Sequence, residues 1–290
     1  MNISASKVKE LRDMTGAGML DCKKALTESN GDIDAAIDYL REKGISKAAK
    51  KADRIAAEGL SNIYIDGNVA VVVEVNSETD FVAKNADFKA LVDTIGNLIV
   101  KNEVTTMEEV LNLSDGENTI NELIVNATAT IGEKLSLRRF ERIVKNDNEV
   151  FGSYLHMGGK ISSLVVVEGN NEEVAKDVAM QAAAMRPKYV RREDVPAEEV
   201  EHERSVLTEQ ALAEGKKAEF VDKIITGRLE KFYADICLVD QAFIKDGDLT
   251  VSKYLENNNS KINSLVRYEV GEGMEKRTED FAEEVMSQMK

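Results

Sequence analysis

The chain has 290 residues, enough for two or three small domains with a real core, and 38 basic against 53 acidic side chains leave it at −15. That balance argues against a general nucleic-acid binder, and no apolar run exceeds strand length, so neither a membrane span nor a secretory leader is expected. Cys22 and Cys237 lack CxxC spacing and read as two unpaired thiols of a reducing, cytoplasmic setting.

The charge is uneven. Residues 1–57 carry 11 basic and 9 acidic groups while the remainder carries 27 and 44, which marks the N-terminal segment as a separate module. Within it, Val8, Leu11 and Met14 form one helical stripe, and Met19, Cys22, Ala25 and Leu26 a second that ends at Asn30-Gly31. Asp32 is placed to cap a third helix with Ile33, Ala36, Ile37 and Leu40, which Gly44 should stop. Lys47 to Ala57 is rich in Ala and Lys and reads as a linker helix.

A repeat follows. The first copy predicts strands at Leu60–Ile65 and Val69–Val75, helices at Asp87–Lys101 and Asn118–Lys134, and a strand at Leu135–Val144. The second predicts strands at Phe151–Met157 and Ile161–Val167, helices at Asn171–Met185 and Val251–Glu256, and a strand at Ile262–Val270. The second copy is interrupted by two charged helices joined at Gly215. Val200, Leu207 and Ala211 line one, and Val221, Ile224, Ile225, Leu229 and Phe232 the other, as in an antiparallel coiled-coil hairpin. Such an arm is either packed on the surface or a surface for self-association or a partner. A last helix, Thr278 to Met289, carries Phe281, Val285 and Met289 on one stripe.

The expectation is an α+β fold with two lobes of antiparallel sheet and helices. Its segments are 1–57 (helical module and linker), 58–147 (first lobe), 148–186 with 236–271 (second lobe), 187–235 (hairpin) and 272–290 (C-terminal helix).

Catalytic machinery is not legible. There is no phosphate loop ending in Gly-Lys-Ser or Gly-Lys-Thr, His156 and His202 stand apart from any metal-ligand spacing, and no Ser-His-Asp or Cys-His set stands out. No cofactor or metal is expected. The informative run is Glu78 to Asn85, between the valine strand and the first long helix. In the repeat alignment Asp80 and Phe81 match Glu172 and Glu173, so the fold unit does not require an aromatic there. Phe81 then reads as a residue placed to touch a partner; the alternative is that it caps the apolar edge of its lobe.

Two runs carry a family resemblance, Thr15-Gly-Ala-Gly-Met-Leu-Asp-Cys-Lys-Lys-Ala-Leu26 and Thr79-Asp-Phe-Val-Ala-Lys-Asn85, and a third, less specific run, Val270-Gly-Glu-Gly273, accompanies them. With the inserted hairpin, the chain resembles bacterial elongation factor Ts over essentially its whole length. The resemblance implies a three-helix, ubiquitin-associated-like N-terminal module and a guanine-nucleotide exchange factor for the GTPase elongation factor Tu, bound in its GDP and nucleotide-free forms. Within this family match, Thr79, Asp80, Phe81 and Val82 correspond to the run that dislodges the partner's Mg²⁺. Met19, Leu20 and Lys23, with Arg12 as neighbour, correspond to residues that face the partner's nucleotide domain. Ile131 and Gly132 lie near the same contact, and His156, Phe243 and Ile244 face another domain. By pattern alone, Met19 and Leu20 would be core. Homodimerisation through the hairpin is a reading of the projecting arm and does not carry over from the resemblance; direct nucleic-acid or membrane binding is not expected. Two other readings are a chaperone-like or ubiquitin-like adaptor using the module and the hairpin, and a small-molecule enzyme with a cleft between its lobes.

Overall fold

The computed structural model describes residues 3–15 and 17–275. The chain is a mixed α+β protein that divides into two compact units, Met1–Asp66 with Val71–Arg142 and Glu269–Lys290, and Gly67–Ala70 with Ile143–Tyr268. The expected C-terminal helix, Thr278 to Met289, lies outside the described residues.

The first unit opens with helices α1 (Ala5–Thr15), α2 (Met19–Glu28) and α3 (Ile33–Ala49). They close on one cluster of Val8, Leu11, Cys22, Ala25, Leu26 and Ala36. The Asp32 carboxylate accepts the Ala35 amide at 2.8 Å and so caps α3. Next come strands β1 (Glu58–Asp66) and β2 (Val69–Ser77), helices α4 (Asp80–Lys84), α5 (Ala86–Val100), α6 (Met107–Leu111) and α7 (Ile120–Ile131), and strand β3 (Ser136–Val144). The sheet order is β1-β2-β3, and the central valine strand is buried along almost its whole length, as pairing on both edges and cover on both faces require.

Several local expectations are corrected here. Gly44 does not end α3, which continues five residues further. Gly44 is buried where α3 meets α7, and a Cβ at that position would sit 3.4 Å from the Cβ of Ala129. Close approach, not chain reversal, explains the glycine. Lys50 to Ala57 is turn and extended chain rather than a linker helix. Its Ala-Lys composition favours a helix, but it offers no apolar stripe to bury. Met14 is exposed instead of completing the stripe of α1.

Gly96 of α5 is a second close-approach glycine. An added Cβ would lie 2.0 Å from the ring of Tyr64, whose hydroxyl donates to Asp93 at 2.7 Å. Gly96→Ala is therefore expected to destabilise the first unit by about 2 kcal/mol through overpacking. A thermal melt equal to the unsubstituted chain would show that Tyr64 moves aside freely.

The third family run has a structural reason. Glu74 of β2 is fully buried and accepts Nη1 of Arg138 at 2.9 Å, Nε of Arg139 at 2.6 Å and the backbone N–H of Gly271 at 2.9 Å. Gly271 has φ +74°, and a Cβ there would meet the carbonyl oxygen of Ala57 at 2.2 Å. Only glycine fits both the conformation and the space.

The second unit holds β4 (Glu149–His156), β5 (Ile161–Glu168), α8 (Glu172–Met185), α9 (Ala197–Ala213), α10 (Ala218–Ile236), β6 (Ala242–Phe243), β7 (Asp246–Thr250), α11 (Val251–Asn257) and β8 (Lys261–Glu269). Its main sheet runs β4-β5-β8, with β4 antiparallel to β5 and Gly152 opposite Val165. The connectivity matches the first sheet: two successive strands, then a third that joins the second after intervening helices. Helix α8 lies so close to β4 that a Cβ on Gly152 would meet the carbonyl oxygen of Ala175 at 2.0 Å. The β6-β7 pair and α6 have no counterpart in the sequence expectation; both are too short to show a period. Helices α9 and α10 pack on each other through Leu207, Ala211, Val221, Ile225 and Leu229.

Candidate functional site

The run from Glu78 to Asn85 folds as a short helix held between two caps. The Thr79 hydroxyl accepts the Val82 amide at 3.4 Å and starts α4, and the Asn85 side chain accepts the amides of Asp87 and Phe88 and starts α5. The second copy keeps the same register. Asn171 caps α8 from the position of Thr79, and Ala83 and Ala175 are buried at equivalent places. Asp80 and Phe81 therefore occupy the first-turn positions that Glu172 and Glu173 hold in the other lobe.

Phe81 is 79% exposed, so it caps no apolar edge. The Lys84 ammonium lies 5.9 Å from its ring centroid and also pairs with Asp80 at 2.6 Å. The three side chains make one surface feature: an aromatic, a carboxylate and a lysine that touches both. Val82 is half-buried and anchors the turn. Ile131, also half-buried, ends α7, and exposed Gly132 closes it with φ +91°.

On α2, the apolar reading of Met19 and Leu20 as core is overturned. Leu20 is 84% and Met19 49% exposed, because Cys22, Ala25 and Leu26 fill the inner face. Arg12 and Lys23 are exposed as well. Among the exposed apolar side chains of the first unit, which also include Met14, Ile45 and Ile65, are Met19-Leu20 and Phe81.

In the second unit, His156 ends β4, is exposed, and stacks on Tyr154 with ring centroids 6.1 Å apart. Phe243 is a correction. It is 3% exposed and stacked on Tyr254 at 4.0 Å, inside the core, so it supports the surface from beneath rather than offering a contact. Ile244, 48% exposed, is the accessible member of that pair. It is held by an interior amide: Gln181 Oε1 accepts the Ile244 N–H at 2.7 Å, and its Nε2 donates to Gln241 and to the Ala242 carbonyl. The exposed Lys245 pairs with the largely buried Asp177 at 2.5 Å, and Asp177 also accepts the Tyr254 hydroxyl, an interaction that, after burial, holds the tyrosine pKa up at about 12.

Sequence reasoning missed Gln181, which holds Ile244, and Glu133, whose carboxylate accepts the backbone N–H of Glu78 and Thr79 and the Thr79 hydroxyl ahead of α4. Both are polar residues whose partners are distant in sequence, and no local pattern signals them. Among the described residues there is no group of three or more His, Cys, Asp or Glu side chains placed to hold a metal ion, and no helix long and apolar enough to cross a membrane. Cys22 and Cys237 are both free and buried, and burial pushes the Cys237 thiol up to about 11. Comparison with known families finds that the model described as Elongation factor TS matches residues 78–272, which holds the Phe81 segment, the Ile131-Gly132 corner and the whole second lobe.

Proposed function

The chain belongs to the elongation factor Ts family, whose members are nucleotide exchange factors for elongation factor Tu in translation elongation, and from that premise we propose how it acts. It binds elongation factor Tu in the GDP form, disturbs the Mg²⁺ and phosphate site with the Thr79–Val82 run, releases GDP, and leaves when GTP binds. The carrying observation is Phe81: a large aromatic, almost fully solvent-exposed, on a capped turn whose counterpart in the second lobe has glutamate.

GDP and Mg²⁺ hold a GTPase site together through charge-assisted contacts and loop amides. An exchanger need not touch the nucleotide. It must bind the nucleotide-free shape better than the loaded one, since only differential affinity moves the equilibrium. Phe81 wedges between partner elements and holds them apart, and Asp80 offers its carboxylate to donors exposed by that movement. Met19, Leu20, Lys23 and Arg12 of the N-terminal module, with Ile131 and Gly132, widen the contact on the nucleotide domain. His156 and Ile244, backed by Phe243, make the second-lobe contact. The action is cytoplasmic and is recognition alone, with no active site of the chain's own. The test is release of a labelled GDP from elongation factor Tu with rising amounts of this protein.

The α9–α10 pair is read as a coiled-coil arm for self-association. Its base is tied into the second unit: the amides of Lys188 and Tyr189 donate to the Ile236 carbonyl, and that of Leu238 to Tyr189. A deletion should therefore spare these residues, removing 197–235 and bridging with Gly-Ser. The expected outcome is a retained melting transition with a mass by light scattering that falls from that of a self-associated form to that of one shortened chain. A mass reduced only by the deleted residues would remove the self-association role, and a lost transition would make the pair structural.

A further inference from the structure

The corner after α7 and the loop before α4 are joined by two carboxylates that exchange hydrogen bonds. Glu133 Oε2 accepts the backbone N–H of Glu78 and of Thr79, both at 3.0 Å, and its Oε1 accepts the Thr79 hydroxyl at 2.6 Å. In return, Glu78 Oε1 accepts the backbone N–H of Lys134 at 2.7 Å, and the same carboxylate pairs with Arg54 at 3.2 Å. The Glu78 side chain is only 5% exposed. The Lys134 ammonium completes the set by donating to the Arg54 carbonyl at 3.0 Å. Each glutamate thus satisfies backbone donors of the other's segment.

This bonding decides how Phe81 is presented. A hydroxyl has one proton and two lone pairs. The Thr79 proton is committed to Glu133, which leaves a lone pair directed at the Val82 amide. Helix α4 has five residues, too few for a helix to hold its own shape in water. Its first turn, which carries Asp80 and Phe81, is fixed from outside, by a carboxylate on the amides that precede it. Few apolar contacts can orient a ring so exposed. The Ile131-Gly132 corner matters for the same reason: the left-handed turn at Gly132 delivers Glu133 to the loop.

We propose that Glu133, with Glu78 as its reciprocal partner, is a positioning residue for nucleotide exchange, holding the Asp80-Phe81 turn in the presented geometry before the GTPase docks. The proposal rests on the exchange reading above. Preorganisation removes an ordering penalty that would otherwise be met at the moment of binding.

The test uses the full chain, elongation factor Tu loaded with a fluorescent GDP analogue, stopped-flow release and a thermal melt. Glu133→Ala is expected to lower the maximal release rate about tenfold or more, the scale of a lost cap together with a lost charge-assisted bond, with the melting transition retained. Glu133→Gln restores most of the rate, because the amide oxygen still accepts the two N–H groups and its nitrogen can donate to the Thr79 oxygen. In a Phe81→Ala background, Glu133→Ala adds little, because it acts through the ring. Glu133→Asp keeps the charge but withdraws the oxygens by one methylene; it serves if the alanine variant does not fold, and a reduced maximal rate is again the expected result. Wild-type release by the alanine or aspartate variant, an undiminished further loss in the Phe81→Ala background, or a glutamine variant as poor as alanine would each overturn the proposal. An unsubstituted chain that fails to accelerate release would instead sink the exchange reading itself.

Discussion

Replacing Asp80 and Phe81 together by alanine is expected to remove most of the catalysed GDP release while leaving the melting transition in place. Phe81 is exposed, so its truncation opens no cavity. Asp80 gives up its ion pair with Lys84 four residues on, an exposed contact typically worth about 0.3–0.5 kcal/mol. At an interface the same ring is worth more: a desolvated aromatic anchor commonly contributes about 2 kcal/mol or more, which is about thirtyfold in a rate or an affinity. If that energy is realised mainly with the nucleotide-free partner, its loss lowers the maximal rate more than it weakens binding to the GDP form. Under the proposed function, Met19, Leu20 and Ile244 should retain part of the affinity. Stopped-flow release against increasing variant, with a melt beside it, separates the outcomes. Unreduced release from a well-folded double variant would refute the wedge, and a collapsed melt would return Phe81 to the core.

The second large effect is on stability. Glu74→Ala should destabilise the first unit by about 3–5 kcal/mol, because it leaves Arg138, Arg139 and the Gly271 amide without their shared acceptor. At about 2–4 °C per kcal/mol for a unit of this size, the transition should fall by about 10 °C. Burial of Glu74 works to raise its pKa, but the Gly271 amide and the two guanidinium groups outweigh burial and hold it below the ordinary value of 4.5. A depressed carboxylate stabilises the fold above its unfolded pKa and loses that contribution as pH falls through the folded one. The unsubstituted chain should therefore lose stability below pH 4.5, and Glu74→Gln should show a shallower loss in that window. Other hydrogen-bonded carboxylates titrate there too, so the difference between the two chains is the informative quantity. Parallel pH dependences would show that Glu74 is not ionised in the fold.

The strands of the two main sheets and the long helices were legible in the sequence because their signals are local. The valine run of β2, the Asp32 cap and the repeated strand–strand–helix order all lie within short windows. Three of the failures share one physical cause, namely tertiary contact. Gly44 resembles a helix stop but is a contact point for Ala129 on α7. Met19 opens a helical stripe with Leu20 beside it, yet Cys22, Ala25 and Leu26 already fill the inside of α2. Phe243 matches a contact position and is instead packed on Tyr254. For the candidate site, the unusual residue, Phe81, was visible from the mismatch between repeat copies. The means of holding it was not, because Glu133 lies 54 residues from Thr79 and is one glutamate among many.

The most direct measurement of the central claim is release of a fluorescent GDP analogue from elongation factor Tu, followed with and without this protein under excess unlabelled nucleotide. Release should accelerate with protein concentration, reach a plateau, and lose most of that plateau when Phe81 alone is replaced by alanine. Release at the spontaneous rate at every concentration of the folded chain would contradict the account.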